Sequence, residues 1–399
     1  MNPTAVGLIF CSTLFGFYDF VTCYPEVKLL HVLFRHGDKV PDIEFQNYPL
    51  DPYGNHSYYP IGSGGLTNDG KMREYKIGKM LRDRYNDFFG PNYLPDEIYA
   101  RSTALHRTQM SLQLVLAGLF PPIGQQIWNP DLPWQPVSVF SENINEDFLL
   151  FPQDCSMYQK AYRNFLQSKE ARQQINKYNS ILAYLTKHTG KTVDTTSATY
   201  YLYNLLKEEE LQGLTLPSWS SEVYPFPMMN ITILSFDHRS YTTQLKRLNG
   251  GVLLKRITGD MQDLRRGCLK PRERKAFFYS AHENNVAAMA RTLGTNVPQL
   301  PAYGSTIIFE TLQDRDKDDE YFVRVLHYTG VTEKLITQTI PGCSEVCPLD
   351  EFLKLLRDVI PDQTEYCHGG NIPTSGSSSF PNNILRLAVL AIIIRLHSD

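Results

Sequence analysis

Several features that mark large protein classes are missing from this sequence. It has no run of basic residues, and 39 Lys and Arg against 42 Asp and Glu give a formal net charge of -3 at pH 7. Nothing therefore points to a nucleic-acid or anionic-membrane partner. Its apolar stretches are too short for a confident transmembrane helix. With 42% hydrophobic and 20% charged residues, the composition is that of an ordinary globular protein.

The sequence also lacks the short motifs of several enzyme and binding classes. It contains no P-loop, EF-hand or Gly-x-Ser-x-Gly motif, so nucleotide, calcium and serine-hydrolase sites have little support. His282-Glu283 begins a zinc-protease pattern, but Val286 stands where the second His is required. We therefore predict neither a metal nor a cofactor.

Both ends of the chain have the composition of targeting segments. Residues 5–20 are apolar and a polar segment follows, which predicts a signal peptide over residues 1–23. Residues 368–399 combine a Gly/Ser-rich spacer with an apolar tail, as in a lipid-anchor signal, although a frayed amphipathic terminus fits as well. We expect a secreted or lysosomal protein, with a membrane tether at the C-terminus as an option.

The cysteines and two sequons agree with an oxidising compartment. Of the seven cysteines, Cys11 and Cys23 lie in the predicted signal peptide, and the remaining ones should mostly pair. Cys343 and Cys347 are spaced for a tight local disulfide, and a zinc site is the alternative. The odd count in the mature chain leaves Cys268 as the expected unpaired thiol. Asn55 and Asn230 begin Asn-x-Ser/Thr glycosylation sequons.

Three apolar segments share one pattern, in which a strand-length run ends in polar residues and helical periodicity follows. They are residues 27–34, 97–100 and 276–280. Repeated strand-then-helix order predicts an α/β fold with a mixed, mostly parallel sheet flanked by helices. The carboxyl ends of parallel strands line one crevice, where ligands bind. We therefore expect these segments to meet at one site.

Residues 125–250 have a different texture, with few strand signals. We interpret them as a mostly helical insertion between two parts of an α/β catalytic core, residues 24–124 and 251–367. The helical stretches are residues 157–167, 171–187 and 200–213. Strands resume at residues 305–312 and 321–328, on either side of a charged turn.

The residues after the first strand suit phosphate chemistry. Arg35 offers a planar fork that matches paired phosphate oxygens. His36 is a plausible nucleophile because a neutral imidazole can accept a phosphoryl group. Gly37 allows close backbone approach or an unusual φ angle. Lys39 adds a second positive charge just beyond.

The other two strand ends supply complementary groups. Arg101 could complete a phosphate cradle. Arg107, at the start of the next helix, is a further candidate, although it fits better as a structural ion-pair partner. His282 can contact a phosphate oxygen. Glu283 can protonate a leaving alcohol if its carboxyl is still protonated at mildly acidic pH.

Taken together these segments resemble the histidine acid phosphatase family, branch 2 of the histidine phosphatase superfamily. The family pattern is an RHGxRxP segment, a downstream RST segment and a late His-Asp pair. The chain is most similar to the insect venom-type members, which are related to prostatic and lysosomal acid phosphatases. Further matching segments are LTNDGKMREYKIGKMLRDRY, ARSTALHRTQMSLQLVLAGLFPP, LTLPSW and PGCSEVCPL.

The resemblance implies a phosphoglycerate-mutase-like fold, a homodimer and a role for each site residue. It makes His36 the phosphohistidine nucleophile and Glu283 the proton donor. The residues that it implies for substrate binding are Arg35, Lys39, Arg101 and His282. It also implies disulfides Cys155–Cys367 and Cys343–Cys347.

Two departures from the family pattern bear on activity. Lys39 replaces the second Arg of RHGxRxP and loses the bidentate fork. Glu283 replaces Asp, which moves the acid by about one bond length. The resemblance nevertheless implies an acid phosphatase that hydrolyses small-molecule or protein phosphate monoesters at mildly acidic pH. The alternative is a secreted binding or host-interaction protein of the same fold with weak or no catalysis, and a phosphomutase or phytase-like enzyme is less favoured.

Overall fold

The computed structural model describes residues 25–295, 300–362 and 365. The predicted signal peptide, the C-terminal spacer and tail, and Cys367 lie outside these residues. Within the described ranges, no helix has both the length and the apolar character needed to cross a membrane.

An eight-stranded sheet forms the centre of the described part of the chain. Its strands are β1 (Glu26–Arg35), β2 (Ile98–Ser102), β3 (Phe140–Ser141), β4 (Ala276–Ala281), β5 (Thr306–Gln313), β6 (Tyr321–Tyr328), β7 (Leu335–Gln338) and β8 (Cys347–Pro348). The order is β3-β2-β4-β1-β5-β6-β7, and β8 pairs with β6. Strands β1 to β4 pair in parallel, whereas β5 to β8 add an antiparallel half. The predicted α/β fold with a mixed sheet is confirmed.

Helices cover both faces of this sheet. In the described ranges they are α1 (Ile43–Gln46), α2 (Asn68–Arg84), α3 (Asn86–Phe89), α4 (His106–Leu119), α5 (Ser156–Leu166), α6 (Lys169–Asn176), α7 (Asn179–Thr189), α8 (Thr196–Leu211), α9 (Met228–Arg239), α10 (Thr243–Leu248), α11 (Gly250–Arg265), α12 (Glu283–Leu293) and α13 (Leu349–Leu356). The stretch predicted as helical over residues 171–187 is thus divided between α6 and α7.

The alternation of side chains along β1 produces two separate cores. Leu29 and Leu33 point to one face and pack with residues of α11, α12 and α13. Leu30, Val32 and Phe34 point to the other face and pack with residues of α2 and α4. Because successive side chains of a strand point to opposite faces, a strand that is apolar throughout must be covered on both sides. This burial explains why the residues before Arg35 are mostly apolar.

The chain between β3 and β4 is helical and carries a core of its own. Apolar side chains of α7, α8 and α9 pack together there, among them Leu185, Leu205 and Ile231. Helix α11 instead packs into the core beside the sheet through Leu254 and Ile257. The division of the chain into a core and an insertion at residues 125–250 stays a prediction.

The cysteines and sequons of the described residues have clear surroundings. Cys343 and Cys347 form a disulfide with an S–S distance of 2.01 Å, so their sulfur atoms do not serve as zinc ligands. Cys268 is free and exposed. Cys155 is disulfide-bonded, but its predicted partner Cys367 lies outside the described residues, so that pairing stays a prediction. Asn55 and Asn230 are both exposed, as glycosylation requires.

Two neighbouring carboxyl groups, those of Glu209 in α8 and Asp51, are expected to make the folded protein more stable in acid. Burial and the neighbouring Asp51 carboxyl raise the pKa of Glu209 to about 8. Folded protein thus keeps a proton that the unfolded chain releases near its ordinary pKa of 4.5. Stability is therefore present below the unfolded pKa and is lost as the pH rises towards 8.

We expect the melting temperature to fall between pH 5 and pH 8, and Glu209→Gln, which is neutral throughout, to flatten this fall. Glu210→Gln is a matched control on the same helix, at a more exposed position. Thermal melts of the three proteins at both pH values measure the effect. Equal falls in the wild type and Glu209→Gln would contradict it.

Candidate active site

The polar residues at the ends of β1, β2 and β4 meet at one edge of the sheet. Strand β4 lies between the other two, and all three run in parallel. Arg35 of β1 lies opposite Ala281, and Ser102 of β2 lies opposite Ser280. The residues that follow each strand, among them His36 and His282, therefore leave the sheet side by side, as the sequence pattern predicts.

Gly37 is required by close backbone packing rather than by an unusual φ angle. A Cβ atom at this position would lie 2.4 Å from the carbonyl oxygen of Gly70, in the first turn of α2. Thr67 caps that turn by accepting from the Gly70 amide, and its own amide donates to Asp38 O at 2.9 Å. The start of α2 thereby holds the loop that carries His36.

His36 is held in the tautomer that a nucleophile needs. Its Nδ1 lies 2.9 Å from the carbonyl oxygen of Gly37. Because a carbonyl oxygen only accepts, Nδ1 carries the proton and Nε2 keeps its lone pair. Burial, followed by the positive charge of Arg107, the nearby His282 and Arg35, holds the pKa of His36 well below its ordinary value. These effects favour the neutral form of the ring.

Arg35 is fixed on several sides beside His36. Its Nη1 donates to the carbonyl oxygen of Pro301 at 2.7 Å and lies 3.4 Å from Glu283 Oε1. Its Cζ lies 3.9 Å from the centre of the Tyr303 ring. Stacking and hydrogen bonding of this kind restrict a guanidinium to one orientation.

Lys39 lines a cavity that Arg35 and His36 also line. Its ammonium forms an ion pair with a carboxylate. Lys39 Nζ lies 2.7 Å from Glu208 Oε2 and 3.1 Å from Gln46 Oε1. The other carboxyl oxygen of Glu208 accepts from Tyr303 Oη at 2.8 Å. Since Tyr303 stacks on Arg35, Glu208 links the two basic residues of the first segment.

Arg101 lies elsewhere, and this corrects the sequence-based placement. Its Nη2 lies 2.6 Å from Asp147 Oδ1, a carboxyl group that is fully buried. Arg101 does not line the cavity, whereas Arg107 does. Arg107 Nη1 lies 3.3 Å from Asp42 Oδ2, and its charge lowers the pKa of both His36 and His282. Arg107, which the sequence suggested as a structural ion-pair partner, is the arginine nearer to His36.

His282 and Glu283, at the start of α12, also line the cavity. The centroids of the His36 and His282 rings are 5.6 Å apart. His282 Nε2 lies 3.0 Å from Thr103 Oγ1, and its ring packs against Phe151. Burial holds the pKa of His282 well below its ordinary value. Glu283 is buried, and its Oε2 accepts from Tyr200 Oη at 3.3 Å.

The matching family model covers residues 26–328 and is described as histidine phosphatase superfamily, branch 2. The chain belongs to this family. It is 38% identical over 341 residues to venom acid phosphatase Acph-1 of Apis mellifera, an alignment that covers 85% of this chain and 87% of that protein. It is 33% identical over 358 residues to the lysosomal acid phosphatase of Pongo abelii, over 87% of this chain and 82% of that protein.

Solved structures agree with this branch 2 fold. The phytase of Citrobacter braakii superposes with a TM-score of 0.64 at 18% sequence identity, covering 84% of this chain and 98% of that one. At this level of identity the likeness concerns the fold alone.

Several residues in or beside the cavity were not singled out from the sequence. Glu208 and Tyr200 come from α8, and Tyr303 from the segment before β5. None is next to a motif, so no local pattern indicated them. Arg107 did have a signal in the sequence, because it lies in the first turn of a helix that follows a parallel strand at the ligand-binding edge.

Proposed function

We propose that the protein is an acid phosphatase that hydrolyses phosphate monoesters through a phosphohistidine at His36. The carrying observation is the buried His36 ring, whose Nδ1 donates to the carbonyl oxygen of Gly37 and so leaves Nε2 as the nucleophilic nitrogen, in a cavity that Arg35, Arg107 and Glu283 also line. This family's relatives named as acid phosphatases support the same activity.

In the first step the lone pair of His36 Nε2 attacks phosphorus and the P–O bond to the leaving group breaks. Arg35 and Arg107 supply the positive charge and the N–H donors that the transferring oxygens require, and His282 is a further proposed contact of the phosphoryl group. The electron pair of the broken bond stays on the leaving oxygen, which takes a proton from Glu283.

In the second step water attacks the phosphorus of the phosphohistidine. Glu283, now ionised, accepts the proton of that water, the P–N bond breaks and inorganic phosphate is released. Lys39 adds positive charge to the site, and its ammonium is positioned by Glu208. We assign to Arg107 the phosphate-binding role that the sequence suggested for Arg101.

Hydrolysis of an aryl phosphate at about pH 5, with and without a chelator, tests this function. We expect turnover that the chelator does not change, because each step is assigned to a side chain of the chain itself. A protein that binds phosphate and folds normally but shows no turnover would favour the binding-protein alternative, which the named relatives do not favour.

Glu283→Gln tests the proton donor separately. We expect kcat to fall by about a hundredfold or more for an alkyl phosphate, whose leaving alkoxide needs a proton. The fall should be much smaller for 4-nitrophenyl phosphate, since nitrophenolate leaves without one. Glu283→Asp, which restores the usual family residue, is the control. Equal losses on both esters would assign Glu283 a different role.

Other expectations remain proposals supported by particular residues. The venom and lysosomal relatives support a secreted or lysosomal location. For the predicted homodimer, we propose the segment that leads into edge strand β3 together with that strand, because Ile127, Trp128, Trp134 and Phe140 are each at least 40% exposed. The mass of the protein in solution tests this.

A further inference from the structure

Arg239 lines the same cavity as His36 and Glu283 but has no role in the steps above. It is the last residue of α9. Its Nη1 donates to Asn284 Oδ1, and its Nη2 donates to Ser197 Oγ at 3.4 Å. Because Asn284 directly follows Glu283 in α12, a group bound by Arg239 would adjoin the part of the ester that Glu283 protonates.

The charge of Arg239 is not matched by a carboxylate in the way that the charges of Arg35, Lys39 and Arg107 are. Arg35 pairs with Glu283, Lys39 with Glu208 and Arg107 with Asp42. Within the described ranges, Arg239 forms no salt bridge, and its side-chain acceptors are a neutral amide and a hydroxyl. A guanidinium carries five N–H donors and attracts anions strongly when it is partly removed from water.

The wall beside Arg239 is aromatic and includes an unused polar group. The Tyr200 ring centre lies 5.0 Å from Arg239 Cζ, and Tyr158 Oη donates to the backbone carbonyl of Arg239 at 3.1 Å. The rings of Tyr158 and Tyr162 stack at 5.8 Å. Tyr162 lines the cavity, and in the described structure its buried Oη has no hydrogen-bond partner. A buried hydroxyl left unpaired is costly, so this end of the cavity suits a polar ligand group.

The cavity is large enough for such a group in addition to the phosphate. Its volume is about 570 Å³, within the range of pockets that enclose a whole small molecule. In the proposed mechanism the phosphoryl group lies at His36. The rest of the lining includes Tyr158, Tyr200, Tyr201 and Arg239 and offers aromatic surface to a ring-sized leaving group.

We propose that Arg239 and Tyr162 form an anion subsite for the leaving group. The preferred substrates are then phosphate monoesters whose leaving group carries a second anionic group, either a carboxylate or a further phosphate. This proposal rests on the phosphatase function above and adds a substrate class to it.

Three phenyl phosphates that differ only at the para position test the subsite at about pH 5. The substituents are a carboxamide, a carboxylate and a second phosphate, the last corrected for its two equivalent esters. We expect kcat/KM for the carboxylate or bisphosphate to exceed that for the carboxamide about tenfold, the effect of one charge-assisted hydrogen bond. Whichever anion is preferred identifies the chemistry of the second group.

The variant Arg239→Gln should bring this ratio close to one. Arg172→Gln makes the same charge change at an exposed position of α6 that does not line the cavity, and should keep the wild-type ratio. A ratio that is equal in wild type and Arg239→Gln overturns the subsite. If Arg239→Gln does not fold, the ratio is measured for the wild type and for Arg239→Lys. A wild-type ratio of one also contradicts the subsite. A wild type that hydrolyses none of the three esters refutes the phosphatase function instead.

Discussion

Replacement of His36 by Ala is expected to lower kcat for an aryl phosphate by about a thousandfold or more at pH 5. The substitution removes the nitrogen that forms the covalent bond to phosphorus, and no other group of the proposed mechanism can replace it. Folding should be preserved, because within the described residues the hydrogen bond of the His36 side chain is to the backbone carbonyl of Gly37, in the same loop. Initial rates and a thermal melt measure the two effects.

The same variant should also lose the covalent intermediate. Rapid quenching of the wild type with labelled substrate should trap a phosphoryl group that is stable in base and released in acid, as expected of phosphohistidine. His106→Ala is the matched control, since His106 is exposed and does not line the cavity. Similar rates in the wild type and His36→Ala would show that another residue is the nucleophile.

The second large effect is expected from Arg107→Gln, which should lower kcat/KM by about a hundredfold to a thousandfold. Arg107 lines the cavity and acts electrostatically on both histidines. The loss of one donor aimed at transition-state charge typically costs that much. Arg107→Lys should recover only part of the loss, because an ammonium keeps the charge but not the paired donors. Rates on an aryl phosphate at pH 5 measure both.

Arg101→Gln separates this assignment from the sequence-based one. It leaves Asp147 buried without its partner, which should lower the free energy of unfolding by about 3 kcal/mol. The kcat of the folded protein should change far less than in Arg107→Gln. If Arg101→Gln has the larger effect on kcat while its stability is normal, Arg101 rather than Arg107 is the phosphate ligand.

The contrast between these arginines shows which part of the site was readable in advance. The positions of the strand ends could be predicted because apolar runs and the polar residues after them are local features of the sequence. The direction of the Arg101 side chain could not be, since it depends on Asp147, which lies 46 residues further along the chain. Pairings of this kind are set by how β2, β3 and the following loop pack, and no short motif encodes them.

The helical region presents the same limit. Its helices between residues 157 and 213 were predicted from periodicity, whereas α9 and α10 were not. The contacts that matter for the site come from single positions of α8. Glu208 and Tyr200 reach Lys39 and Glu283 from segments far away in sequence. The break between α6 and α7 was also missed, because residues 176–179 contain neither Pro nor Gly.

The bond between Lys39 and Glu208 limits how this protein can be re-engineered. Lys39 belongs to the loop after β1, whereas Glu208 is supplied by the helical region. A chimera that takes its helical region from a relative without an acidic residue here would leave a buried ammonium with no counter-charge. Exchange of substrate-facing helices between relatives should therefore succeed only when both members of the pair are transferred together.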